Sequence, residues 1–143
     1  MNALGYRRSS AEAPEGMGSS VTMVTPDAAG LNKLLTNSDY VVLALPQTTE
    51  TDHLIGVEEI AEMKPGAVVI NVGRGSCLDS RALAIALEQG TLGGAALDVV
   101  ETEPLEEQHP LWSVGVEKLL LSPHTMDLCV LVHLCDLAVE HAA

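Results

Sequence analysis

Two apolar runs, VVLALP at 41–46 and AVVINV at 67–72, constrain this chain more than any other feature. A strand with one wet face alternates apolar and polar residues, because successive side chains point to opposite faces. These runs do not alternate. A continuous apolar stretch of this length, closed by Pro46 in one case and by Gly73-Arg74-Gly75 in the other, suits a strand covered on both faces. Between them lie a polar loop, QTTETDHLIG, and a short helical stretch, VEEIAEM, stopped by Lys64-Pro65-Gly66.

The same alternation continues downstream. Asp79 or Ser80 can cap the helix RALAIALEQG, which finishes on Gly90, a residue suited to the left-handed turn at a helix end. GAALDVV reads as a third strand, followed by an acidic loop, ETEPLEEQHP, and KLLLSP as a fourth. Residues 126–142 read as a final helix. Upstream, ALGY and VTMVT are candidate short strands flanking an irregular stretch at 9–20, and DAAGLNKLL is a candidate helix behind Asp27. Strands alternating with helices at this spacing predict an α/β fold: a doubly wound parallel sheet with helices on both faces. In such sheets ligands bind beyond the carboxyl ends of the strands. Arg74, the segment 98–103 and His124 all fall there.

Composition narrows the function. The net charge is −13, with seven Lys plus Arg in 143 residues. That excludes a nucleic-acid surface, which needs basic residues to displace counterions. A phosphate-bearing cofactor remains compatible, since helix N-termini and a few placed arginines suffice. The three cysteines, Cys77, Cys129 and Cys135, form no close pair, so neither a disulfide framework nor a metal site is indicated. The most apolar stretch, 128–134, is too short to cross a bilayer, and no N-terminal signal pattern is present. A cytoplasmic protein without membrane or nucleic-acid partners is the expectation.

The stretches SDYVVLALPQTTETDHLIG, MKPGAVVINVGRGSCLDSRALAIALEQGTLGGAALDVVETEP, HPLW and LLLSPH, spread over residues 38–124, occur in order and at matching separations. Together they resemble the D-isomer-specific 2-hydroxyacid dehydrogenase family. The resemblance implies a Rossmann-type NAD(P)-binding domain over residues 1–126, followed by an apolar helix or tail at 127–143. It implies reduction of a 2-keto acid to a D-2-hydroxy acid. Arg74 would hold the substrate carboxylate, because a guanidinium offers a planar, permanently charged fork. His124 would be the general acid, imidazole having a reference pKa of about 6.5. Glu103, in ETEP, would hold that imidazole, since a neighbouring carboxylate favours the protonated ring. The loop also carries Glu101, Glu106 and Glu107, which read as a solvated acidic face. His53, His109, His133 and His141 read as structural or surface residues.

For the cofactor, the resemblance places Asp98 on the nicotinamide carboxamide, Val72, Gly73 and Arg74 beneath the nicotinamide, and Leu45, Pro46 and Thr51 on the adenosine and pyrophosphate side. After the second strand of such a domain an acidic residue suits the ribose hydroxyl of NAD, whereas Arg and Ser suit a 2′-phosphate. Arg7, Arg8 and Ser9 therefore favour NADP over NAD, in a reductase of the glyoxylate or hydroxypyruvate type.

One departure is an absence: the chain has no G-x-G-x-x-G. The first β-α unit, which carries that phosphate-binding turn, is expected to be lacking. ALGY is then left without the neighbour that joins it to VVLALP. The other is Met126, standing where the family usually has a small residue, ahead of a tail apolar nearly all round. The expectation is a fragment inactive alone, drawn from a parent that is a homodimer. The rival expectations are a dinucleotide-binding interaction module of the corepressor kind, and a remnant without function.

Overall fold

The computed structural model describes residues 2–7, 12 and 21–125. Its strands form two parallel sheets. β1 (Ala3–Gly5) pairs with β2 (Val21–Met23). The larger sheet runs β3 (Tyr40–Leu43), β4 (Val68–Asn71), β5 (Gly94–Leu97) and β6 (Leu119–Leu121), in chain order and all parallel. Three helices connect them: α1 (Ala28–Asn37), α2 (Val57–Glu62) and α3 (Ser80–Gln89). The expected α/β architecture is what forms. The predicted final helix at 126–142 and the tail at 127–143 lie outside the described residues.

The central strands follow from their apolar runs. β4 and β5 carry buried residues on both faces, among them Val69, Ile70, Ala96 and Leu97. β3 departs from the expectation of a strand covered on both sides. Val41 and Leu43 are buried but Val42 between them is 55% exposed. The reason is position: among the described residues β3 pairs only with β4, so it stands at the end of the strand order and Val42 is left uncovered on one face. Among the described residues β1 likewise pairs only with β2. A cleft of about 930 Å³ separates them, bounded by Gly5 and Tyr6 on one side and by Val42, Ala44 and Leu45 on the other. Among the described residues no strand joins ALGY to VVLALP, in line with the expectation.

The best-anchored helix is α3. Asp79 is its N-cap, its carboxylate accepting from the backbone N–H groups of Arg81 and Ala82 at 3.0 and 2.9 Å. This resolves the choice between Asp79 and Ser80, whose hydroxyl turns to His109 instead. Gly90 ends the helix at φ 72, a left-handed conformation in which glycine carries no Cβ penalty. Its buried face presents Leu83 and Leu87 to Leu35, Val41, Val69 and Leu97 in one core. Each such leucine contributes about 1.5–3 kcal/mol by leaving water. Two elements were not anticipated: short 3₁₀ turns at Gly75–Cys77 and, behind His109, at Pro110–Ser113.

Candidate active site

Every strand of the larger sheet ends in the same direction, because all are parallel, so the four following loops converge. The turn after β4 is built by Asn71, which is 1% exposed. Its Nδ2 donates to the Arg74 carbonyl at 3.0 Å and its Oδ1 accepts from the Gly73 N–H at 3.1 Å. A polar residue inside an apolar strand is costly unless so paired. That pairing forces the chain to turn at Val72-Gly73-Arg74. The turn packs tightly: a Cβ on Gly73 would lie 2.6 Å from the Leu45 nitrogen, and one on Gly75 would lie 1.9 Å from the Val100 carbonyl oxygen. Glycine at these two positions lets three loops touch backbone to backbone.

The loop after β6 is fastened by Asp98. Its Oδ1 accepts from the Ser122 hydroxyl and from the Thr125 N–H, while its carbonyl accepts from the His124 N–H at 3.1 Å. Asp98 thus holds the segment that presents His124. Val72, Gly73, Arg74 and Asp98, the residues expected on the nicotinamide side, follow the neighbouring strands β4 and β5, whose ends are joined by the Asp98 N–H donating to the Asn71 carbonyl at 3.0 Å.

His124 and Glu103 meet. Nε2 of His124 lies 2.8 Å from Glu103 Oε2, and Glu103 Oε1 accepts from the Val100 N–H at 3.3 Å. The bond to His124, and then that from Val100, hold the Glu103 carboxyl below the usual range for a glutamate. Both side chains are about half exposed, and His124 sits at φ 53. Arg74 lines the same cleft of about 410 Å³ as Glu103 and His124, with Gln47 and Ser76. It is not paired with Asp79, whose carboxylate caps α3. Its Nη1 donates to the Gly73 carbonyl at 2.8 Å. A fixed cation and a histidine–carboxylate pair around one small cleft can hold an anionic group and deliver a proton beside it.

Of the residues expected on the adenosine side, Leu45 is half-buried and Pro46 exposed. Thr51 is buried, its hydroxyl donating to the Pro46 carbonyl at 2.7 Å. Thr51 therefore shapes the loop instead of facing outward. Arg7 is exposed and follows Tyr6, which lines the larger cleft. Arg8 and Ser9 lie outside the described residues.

The acidic loop needs one correction. Glu101 and Glu106 are not merely solvated: Glu101 pairs with His53 at 2.6 Å and Glu106 with Arg81 at 2.8 Å. A histidine on a neighbouring loop and an arginine at the start of α3 are within reach, which composition cannot reveal. His109 is structural, as read, and buried: its Nδ1 accepts from the Leu111 N–H. Two positioning residues went unnoticed, Asn71 and Ser122. Asn71 had a signal, as the one amide in an otherwise apolar run. Ser122 had none. Among the described residues, no group of His, Cys, Asp or Glu is arranged to hold a metal ion, and no helix is long and apolar enough to cross a membrane.

Residues 1–125 match the family described as D-isomer specific 2-hydroxyacid dehydrogenase, NAD binding domain. A glyoxylate/hydroxypyruvate reductase B of Pectobacterium carotovorum is 48% identical over 94 residues, which is 66% of this chain and 29% of that protein. A glyoxylate reductase of Korarchaeum cryptofilum is 45% identical over 94 residues, 66% of this chain and 28% of its own length. The chain thus spans less than a third of these curated relatives. A D-isomer specific 2-hydroxyacid dehydrogenase from Xanthobacter autotrophicus Py2, solved with NADPH and MES, superposes with a TM-score of 0.75 at 37% identity, over 85% of this chain and 36% of that one. The chain belongs to the D-isomer specific 2-hydroxyacid dehydrogenases, matching the NAD binding domain of that family.

Proposed function

We propose that this chain is the cofactor-binding part of an NAD(P)-dependent oxidoreductase that reduces 2-keto acids to D-2-hydroxy acids, of the glyoxylate or hydroxypyruvate type. The observation that carries the reading is the convergence of Arg74, Glu103 and His124 on one cleft at the carboxyl ends of a parallel sheet.

The residues present fit a dinucleotide. The Ser76 hydroxyl is buried without a hydrogen-bond partner among the described residues, on the wall that also carries Arg74; such a group calls for a polar partner. The larger cleft opens between Tyr6 and Leu45, where an adenosine moiety would lie with Pro46 and the Thr51 loop beneath it. Val72, Gly73, Arg74 and Asp98 would flank the nicotinamide. Arg7, with Arg8 and Ser9, favours NADP, because a guanidinium can bind a 2′-phosphate. When bound, the cofactor supplies hydride. Arg74 binds the carboxylate of the acid. His124, held through Nε2 by Glu103, gives a proton to the carbonyl oxygen, and Glu103 offsets the charge on the ring. The substrate is a small 2-keto acid, the protein is cytoplasmic, and the whole enzyme is a homodimer.

The 143-residue chain, which has no glycine-rich phosphate turn, is expected to turn over no substrate alone. Thermal unfolding with millimolar NADPH or NADH tests the reading. A ligand that binds only the folded state adds about 2.7 kcal/mol at a hundredfold excess over Kd. A larger upward shift with NADPH than with NADH, equalised by Arg7→Ala, is the expected result. A transition that neither dinucleotide moves would overturn the assignment of cofactor binding to this chain.

A further inference from the structure

The loop that follows β5 carries two glutamates, Glu101 and Glu103, two residues apart, and each is taken by a histidine from a different neighbouring loop. Glu103 holds His124 at 2.8 Å; Glu101 holds His53 Nε2 at 2.6 Å. Both histidines sit in left-handed backbone, at φ 53 and φ 48, a region few non-glycine residues occupy. The second pair has no place in the chemistry above, yet Glu101 lines the same cleft as Arg74, Glu103 and His124.

Glu101 is tied from two sides. The Nδ1 of His109 accepts from the Leu111 N–H at 3.2 Å, so a neutral His109 carries its proton on Nε2. That nitrogen lies 3.2 Å from the Ser80 hydroxyl, which in turn donates to Glu101 Oε2 at 3.4 Å. Burial, and then Arg81, hold His109 below its ordinary value, consistent with the neutral ring. The other oxygen, Oε1, meets His53. The His53 backbone is fixed in turn: its N–H donates to the Ser76 carbonyl at 2.7 Å, and Ile55 and Asp79 continue that ladder. The bond to Glu101 chiefly, with the charges of Asp52 and Asp79 adding less, favours the charged form of the His53 ring. By contrast, residues 101–104 are exposed, and the Glu103 carboxylate itself bonds only to Val100 and His124 among the described residues.

We propose that His53 and Glu101 are positioning residues for Glu103: a second histidine–carboxylate pair that clamps the loop after β5, so that Glu103 stays within reach of His124. The proposal rests on the reading of Glu103 and His124 as the reacting pair.

The test follows the Glu103 side-chain carboxyl by ¹³C NMR through a pH titration of the 143-residue chain. In His124→Gln its midpoint should rise toward that of an ordinary glutamate, since the bond to His124 is the main cause of its depression. In Glu101→Gln it should rise as well. Loss of a nearby negative charge alone would move it down, so the sign separates positioning from simple electrostatics. Unchanged β4 and β5 amide shifts verify that the fold is intact. If Glu101→Gln disturbs them, Glu101→Asp, which keeps the charge but withdraws it by one methylene, must raise the midpoint instead. A midpoint that stays or falls in the folded variant overturns the clamp. A midpoint unmoved in His124→Gln overturns the underlying pair, and the clamp with it.

Discussion

The two sheets of this molecule are both parallel, yet they are held very differently. β3 to β6 share a continuous core with α1, α2 and α3, and β4 and β5 are buried on both faces. β1 and β2 are three-residue strands whose residues are half-buried or exposed, and among the described residues they pair only with each other. Isolated two-stranded sheets are marginal in water. What separates the two is the number of neighbours: a middle strand satisfies backbone groups on both sides, and its side chains meet helices above and below. The same sheet that is best packed also carries Arg74, Glu103 and His124, so the site's framework does not depend on β1 and β2.

The largest expected effect tests that contrast directly. Leu83→Ala removes a fully buried side chain from α3 and should cost about 2–5 kcal/mol. Val21→Ala, in half-buried β2, should cost well under that. Denaturant unfolding of both variants compares them, and equal costs would mean that the two sheets share one cooperative core.

A smaller effect concerns the helix caps. Asp79→Ala unseats α3, and Asp27→Ala unseats α1, where the Asp27 carboxylate accepts from the Gly30 N–H at 2.8 Å. Each should cost about 1 kcal/mol. Amide exchange adds the sharper readout. Asp79→Ala should speed exchange in α3 and β5, whereas Asp27→Ala should leave β5 protected. Faster exchange in β5 from either cap would join the α1 end to the larger unit.

The smallest effect is acid dependence, and it falls on the larger unit. His109 has its value lowered chiefly by burial. The unfolded chain therefore takes up a proton first, and stability falls as pH drops below the ordinary histidine value of about 6.5. His53 has its value raised by Glu101, so its stabilisation is full below that ordinary value and fades as pH climbs through the raised one. The two contributions oppose each other. In Glu101→Gln the His53 part is lost, and Tm should fall more steeply from pH 7 to pH 5 than in the parent chain. Parallel Tm profiles would count against the His53–Glu101 pair.

Much of this was legible in the residues. Apolar runs named β4 and β5, Asp79 and Gly90 bracketed α3, and the order of motifs placed Arg74, Glu103 and His124 at strand ends. β3 was misjudged, because an apolar run states that a strand can be buried, not whether a neighbour is there to bury it. The partners of Glu101 and Glu106 were invisible for a related reason: a carboxylate finds its cation across loops separated by dozens of residues.

The sequence by itself determined which segments become strands and helices and which residue types wait at their ends, since periodicity, caps and glycines act over a few residues. The tertiary structure alone decided that β3 leaves Val42 exposed, that Thr51 turns inward, that Asp98 fastens the His124 loop, and that two histidines grip one acidic loop. Those outcomes depend on which loops meet, and loops meet only after the sheet has brought the ends of its strands together.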